Sequence, residues 1–207
     1  MRDKEATRDK ILRAAESIFS EKGYHGALVD EIAESSKTSK GAIYFHFPSK
    51  EEIFFSLMDR FADIVIHEIE GAITGERGAL KKIEVELKLV LQTLVKRQKL
   101  AKLLLIHGHG LGAEFEKKRL EIYSRFAKLI ESNLQDAVVE GSIPPLDVEI
   151  IAHAWLGAIS ELVIRWLYTG DPEPLKRTHP ALTALFLRGI GAHAHLSQAQ
   201  KSKRRSS

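Results

Sequence analysis

The stretch Ser39-Lys40-Gly41-Ala42-Ile43-Tyr44-Phe45-His46-Phe47, followed by Pro48-Ser49-Lys50-Glu51-Glu52, decides the fold. Ser39 can cap a helix by accepting one of its unpaired first-turn amides, so a short helix opens after it and ends near Phe47. Pro48 cannot extend that helix, because its ring clashes with the preceding turn and it has no amide proton. Ser49 and Glu52 then form an S-x-x-E capping pair, which opens a long helix. Phe54, Leu57, Phe61, Val65 and Ile69 give that helix an apolar stripe.

Upstream, Ile11, Leu12, Ala15, Ile18 and Phe19 form one stripe of a helix from about Arg8 to Lys22, which Gly23 ends. A shorter helix from about Val29 to Ser35 buries Val29, Ile32 and Ala33. Three short helices joined by tight turns are the arrangement of a helix-turn-helix, with the third as recognition helix. From Ser35 to Lys50 there are three lysines (37, 40 and 50), His46 and no acid.

No proline falls between Pro48 and Pro144, which suits helices. Apolar spacing predicts five more, over about 79–96, 98–107, 113–140, 146–169 and 179–195, and no strand. The fold class is all-α.

The composition is that of a soluble globular chain. It has no cysteine, which excludes disulfides, thiolate zinc sites and a cysteine nucleophile and fits a reducing, cytoplasmic setting. No apolar run approaches a membrane span, so no membrane partner is expected, and MRDKEATRDK is too charged for a secretory signal. The net charge is +3, but Lys201, Lys203, Arg204 and Arg205 carry four positive charges in the polar tail, leaving −1 for the rest.

Residues 8–55 resemble the N-terminal domain of TetR-family transcriptional regulators. The resemblance rests on Gly23-Tyr24, Val29-Asp30-Glu31-Ile32-Ala33, the string Ser39 to Phe47, and Ser49-Lys50-Glu51-Glu52. It implies a DNA-binding domain over 1–48 and a helical effector-binding and dimerisation domain over 49–196, while the polar, basic composition of 197–207 reads as a disordered tail. It also implies roles. Lys40 is a candidate for guanine O6/N7, and Gly41 lets the backbone approach DNA. Tyr44 and His46 look like phosphate contacts, as does Lys50 together with the amides of the fourth helix. Ile43 and Phe47 hold the recognition helix to the first, Ser39 caps it, and Phe45 meets a thymine methyl or covers the groove edge. The chain departs from the family at Ala27 and Leu28, where a hydroxyl residue usually caps the second helix and touches phosphate. It departs again at Lys37, where the usual glycine gives way to a residue needing a left-handed conformation or a different turn. Lys37 can add a phosphate contact, and Thr38 can hydrogen-bond one.

No catalytic set, metal site or cofactor motif emerges, so an enzyme is not expected. His107-Gly108-His109-Gly110 and His193-Ala194-His195 place histidines at i, i+2, which do not share a helix face. Gly108-x-Gly110-x-x-Ala113 follows a helix rather than a strand and is no dinucleotide fingerprint. Family resemblance implies an effector pocket, with Phe61, Leu104, His107, Phe115, Tyr123, Phe126 and Trp155 as candidate lining. Arg165 is either an anchor for an acidic effector or an i, i+4 partner of Glu161. Acyl-CoA, drug-like cations and phenolics are open effectors. Ala154, Gly157, Ala158, Ala181, Ala184, Gly189 and Gly191 let two helices approach closely. They suggest a homodimer through residues 146–169 and 179–195, placing two recognition helices to read a near-palindrome. The expected function is a repressor of a double-stranded DNA operator, released by a small hydrophobic or amphipathic effector. The alternative is a ligand-independent architectural or cell-division adaptor on the same fold.

Overall fold

The computed structural model describes residues 2–107 and 111–192, with the side chains of 2, 3 and 107 outside the description. The basic tail, His109, His193 and His195 lie outside the described residues. Among the described residues there are nine α-helices and no strand: α1 (Arg2–Gly26), α2 (Val29–Ser36), α3 (Lys40–His46), α4 (Lys50–Ile73), α5 (Ala79–Lys96), α6 (Gln98–Lys102), α7 (Ala113–Val139), α8 (Val148–Thr169) and α9 (His179–Gly189). Single π-helical turns extend α6 over Leu103–His107 and precede α9 over Pro174–Thr178.

Most boundaries fall where a local residue sets them. Ser39 Oγ accepts from the Ala42 amide at 3.0 Å, and Ser49 Oγ accepts from the Glu52 amide at 3.1 Å. Gly23 breaks the helical geometry of α1 with φ 71° and ψ 174°, at the position predicted for its end. The other end differs from expectation: α1 starts at Arg2, because Arg2 to Thr7 contain no glycine or proline to stop it.

The chain forms two compact units. One comprises the chain up to Ile64 together with Arg97–Ile122. Its core stacks the predicted stripe of α1 (Ile11, Leu12, Ala15, Phe19) with Ile32 of α2, Ile43 and Phe47, and Phe54, Leu57 and Phe61 of α4, all buried. The rings of Phe19, Tyr24, Phe54 and Phe115 meet at centroid separations of 5.0–5.9 Å. Full burial of each large side chain contributes about 1.5–3 kcal/mol, so aliphatic and aromatic residues together fasten this short domain.

The other unit comprises Val65–Lys96 and the chain from Tyr123. In α8, Ala152, Trp155, Ile159, Val163 and Leu167 form the buried face at helical spacing. Trp155 stacks on Phe186 of α9 at 4.4 Å with planes 6° apart. By length and composition alone α8 is long and apolar enough to cross a membrane, although Glu161 and Arg165 interrupt its apolar run. Part of its apolar composition is exposed: Ile150 and Tyr168 stand at the surface with Ala154 and Gly157, while Ile151, Leu156, Leu162, Ile164 and Trp166 are half-buried.

Candidate nucleic-acid interface

α2 begins at Leu28, whose backbone is extended as an N-cap requires but whose side chain has no oxygen to offer. Half of a capping box survives: Glu31 Oε2 accepts from the Leu28 amide at 3.2 Å. Glu31 also accepts from Lys22, and that contact, followed by the Leu28 amide, holds its carboxyl below the usual range. Ala27 is buried and Leu28 is 58% exposed, so an aliphatic group stands at the surface where a hydroxyl was expected to be missing.

α2 ends on Lys37, which takes the left-handed conformation at φ 52° and ψ 42°. The Thr38 amide donates to Ala33 O at 3.0 Å and the Lys37 amide to Glu34 O at 3.1 Å, the paired bonds of a Schellman cap. Lysine therefore fills a position built for glycine. Buried Ser36 can donate its hydroxyl proton to Ile32 O at 2.7 Å, and Thr38 Oγ1 lies 2.7 Å from Ser36 Oγ. Either hydroxyl can donate in that contact, so Thr38 is tied to Ser36 within the α2–α3 turn. Thr38, expected to reach a phosphate, thus has an intramolecular partner in the absence of DNA.

α3 presents two faces. Ile43 and Phe47 are buried, and the Arg8 guanidinium of α1 lies over the Phe47 ring at 5.0 Å, so the predicted inward pair does fasten the helix. Tyr44 and Phe45 are 44% and 71% exposed, which burial alone would not favour. An added Cβ at Gly41 would meet only Ser39 Oγ at 3.9 Å, so nothing inside the chain requires glycine there. Ser39 caps with a lone pair, which leaves its proton free to donate outward. His46 sits half-buried between the rings of Phe45 and Phe47.

The two lysines expected to meet DNA have partners within the chain. Lys40 Nζ pairs with Asp30 of α2, at 2.8 Å to Oδ1 and 3.1 Å to Oδ2. Lys50 Nζ donates to the carbonyls of Tyr24 at 2.9 Å and Ala27 at 3.1 Å and lies over the Tyr24 ring. Lys50 therefore ties the α1–α2 turn to the start of α4, with at most one of its three protons left for a phosphate. Sequence reasoning missed Asp30 and also Lys4, whose ammonium lies over the Phe45 ring at 4.8 Å. Lys4 and Arg8 are four residues apart on one face of α1, a spacing that an earlier helix start would have exposed.

The expected effector residues divide between the units. Phe61, Leu104 and Phe115 are buried in the first, with Phe115 in its aromatic cluster against Phe54, Phe55 and Tyr24. Tyr123, Phe126, Trp155 and Arg165 belong to the second. Tyr123 Oη donates to Ser160 Oγ at 3.1 Å, and Phe126 is half-buried. Arg165 is exposed on α8 opposite the buried face. The side chain of His107 lies outside the described residues. Among the described residues no three His, Asp or Glu side chains are grouped to hold a metal.

Residues 11–57 match the model for bacterial regulatory proteins of the tetR family. The fatty acid metabolism regulator protein of Bacillus subtilis is 25% identical over 191 residues, 92% of this chain and 98% of that protein. The nucleoid occlusion factor SlmA of Aliivibrio fischeri is 28% identical over 77% of this chain and 83% of its own length. The transcriptional regulator FadR from Bacillus subtilis, solved in complex with stearoyl-CoA, superposes with a TM-score of 0.78 at 23% identity, covering 88% of this chain and 97% of that one.

Proposed function

We propose, on the premise that this chain belongs to the TetR family of transcriptional regulators, that it is a homodimeric repressor whose grip on a near-palindromic operator is relaxed by a small hydrophobic or amphipathic effector. The observation that carries the DNA-binding part is α3 itself: seven residues without an acid, capped by Ser39, with Tyr44 and Phe45 held at the surface. Lys40, Gly41, Tyr44, Phe45 and His46 are assigned to the duplex, with Lys37 and Ser39 at its approach.

A second copy of the chain gives the exposed apolar side of α8 and α9 something to cover. Ile150, Tyr168 and Leu185 are each more than 60% exposed, and an added Cβ at Gly157 or Gly189 would meet nothing within 4 Å. Such small residues are unexplained within one protomer and suit helices packed closely across a two-fold axis. Arg165 and Glu161 fit this interface better than an effector anchor, since both are exposed there.

The likeness to a fatty acid regulator, and to a structure holding stearoyl-CoA, favours acyl-CoA as the effector class to try first. An effector acts by binding one conformational population better than the other, so it must weaken operator binding by its own affinity ratio. The likeness to a nucleoid occlusion factor favours a second reading, a DNA-bound adaptor that needs no ligand.

The test is a gel-shift series on genomic fragments, followed by anisotropy on the selected duplex with and without stearoyl-CoA. The repressor reading expects release by the acyl-CoA and loss of binding in Tyr44→Ala plus Lys40→Ala. Unchanged affinity in that double variant would sink the site assignment. Operator binding indifferent to acyl-CoAs and other hydrophobic effectors would favour the adaptor. Gly157→Leu is expected to yield a folded monomer by sedimentation, with much weaker operator binding.

A further inference from the structure

A cavity of about 520 Å³ opens between α1 and the α2–α3 turn, within the first compact unit, and no residue of α3 lines it. Its lining includes three cations, Lys10, Arg13 and Lys37, and the hydroxyl residues Thr7, Ser17 and Ser35, with no acid among its described residues. On α1 the positions 7, 10, 13 and 17 recur every three to four residues, so one helix face supplies half of the wall. The turn supplies the rest.

An ordinary solvated face intersperses both signs. The neighbouring cavity of about 380 Å³ does so: it shares Arg13 and Ser17 but adds Glu16, Glu21 and Lys99. The first cavity carries one sign only. Arg13 is poorly neutralised, because it reaches Asp9 only at 3.9 Å, with both side chains more than half exposed. The negative end of α2 also faces this turn, and one cation would have balanced its half charge. Three are present. Lys37 is, moreover, the residue held at positive φ, where glycine would be easier, so strain is retained at the point where a charge joins the wall.

We infer that this cavity is an oxyanion site that takes a phosphate: Lys10, Arg13 and Lys37 supply charge, and Ser17 and Ser35 supply directional donors. Because the turn leads directly into the recognition helix, the phosphate is assigned to the duplex backbone beside the groove, additional to the contacts of α3. That assignment rests on the regulator reading above. Free phosphate has the same chemistry and is the other source.

The experiment uses the full chain. Lys10→Gln, Arg13→Gln and the control Lys99→Gln each remove one positive charge outside α3. Operator affinity is measured against salt for each, and melting of each protein alone is followed with and without inorganic phosphate. Losing one phosphate contact makes the log–log salt slope shallower by about 0.9, so the affinity lost between about 50 and 200 mM salt shrinks roughly threefold. That change in Lys10→Gln and Arg13→Gln, with Lys99→Gln unchanged, supports a duplex phosphate. Unchanged slopes, with phosphate raising the melting temperature of wild type but not of the two cavity variants, support free phosphate. Equal slopes with no phosphate-dependent shift, or the same slope change in Lys99→Gln, overturn the inference. Equal slopes in the cavity variants beside lost binding in Tyr44→Ala plus Lys40→Ala would leave the regulator reading standing while this one falls.

Discussion

The Lys40 ammonium lies 2.8 Å from the Asp30 carboxylate, so the cation heading the recognition helix is already paired before a duplex arrives. Both side chains are more than half exposed, and the pair is therefore open to screening and to exchange. A guanine edge or a phosphate competes with Asp30 for Lys40. Asp30→Asn is expected to raise affinity for random duplex severalfold at low salt, and to raise it less for the operator, narrowing the specificity ratio. The gain should fade toward 1 M salt, where the Debye length falls to about 3 Å. Competition anisotropy with both duplexes reads this, and identical low-salt affinities in variant and wild type would remove Asp30 from the mechanism. Lys40→Ala should cost roughly tenfold on the operator and relax preference at one base position.

At the head of α2, Leu28 has the extended backbone of an N-cap without the oxygen, and it is 58% exposed. Little burial is lost by replacing it. Leu28→Thr should add a side-chain bond to a first-turn amide and stabilise the protein by about 1 kcal/mol in urea unfolding. The same hydroxyl would sit where the family touches phosphate, so duplex affinity should rise as well. A stability gain without an affinity gain would show that α2 does not meet the backbone at this position.

Lys37 separates stability from binding. Its φ of 52° burdens a side-chain-bearing residue by about 1 kcal/mol, a strain that glycine escapes. Lys37→Gly should raise the unfolding midpoint, less the entropy that glycine adds to the unfolded chain. It should also make the salt slope of DNA binding shallower by about 0.9 if the ammonium meets a phosphate. Opposite movement of the two measurements is the expected signature of a residue kept for function. Higher stability with an unchanged salt slope would mean that the strain at this turn serves no phosphate.

These sites differ in how far local sequence announces them. The helix ends could be read because each depends on residues within one turn, as at Ser39, Ser49 and Gly23. The left-handed turn at Lys37 was open for the same reason, since a missing glycine is visible in the chain. The pairing of Lys40 with Asp30 was not, because it spans ten residues and depends on how two helices cross. Lys50 shows the limit more sharply: its charge suggested phosphate, while its carbonyl partners lie 23 and 26 residues away and are decided by tertiary packing. The contact of Thr38 with Ser36 is likewise invisible in residue spacing, because it depends on how the left-handed turn closes.

Glu86 is the one buried acid among the described residues of the second unit, 5% exposed on α5, and its carboxylate accepts from Asn133 Nδ2 at 2.9 Å. A signal for it existed, since position 86 falls on the stripe that buries Ile83 and Leu87. Desolvation pushes its carboxyl up from 4.5 to about 7, against the opposing pull of the Asn133 bond. The folded state therefore holds this proton more tightly than the unfolded chain does. Stability from this group is full below about pH 4.5, declines as the pH rises toward 7, and is lost above it. The loss amounts to about 3 kcal/mol. Glu86→Gln keeps an acceptor for Asn133 and cannot ionise. It should match wild type near pH 4.5 and exceed it by up to about 3 kcal/mol at pH 8, in urea unfolding at both values. A difference independent of pH would mean that Glu86 does not titrate between these limits, and that any effect of the substitution comes from packing.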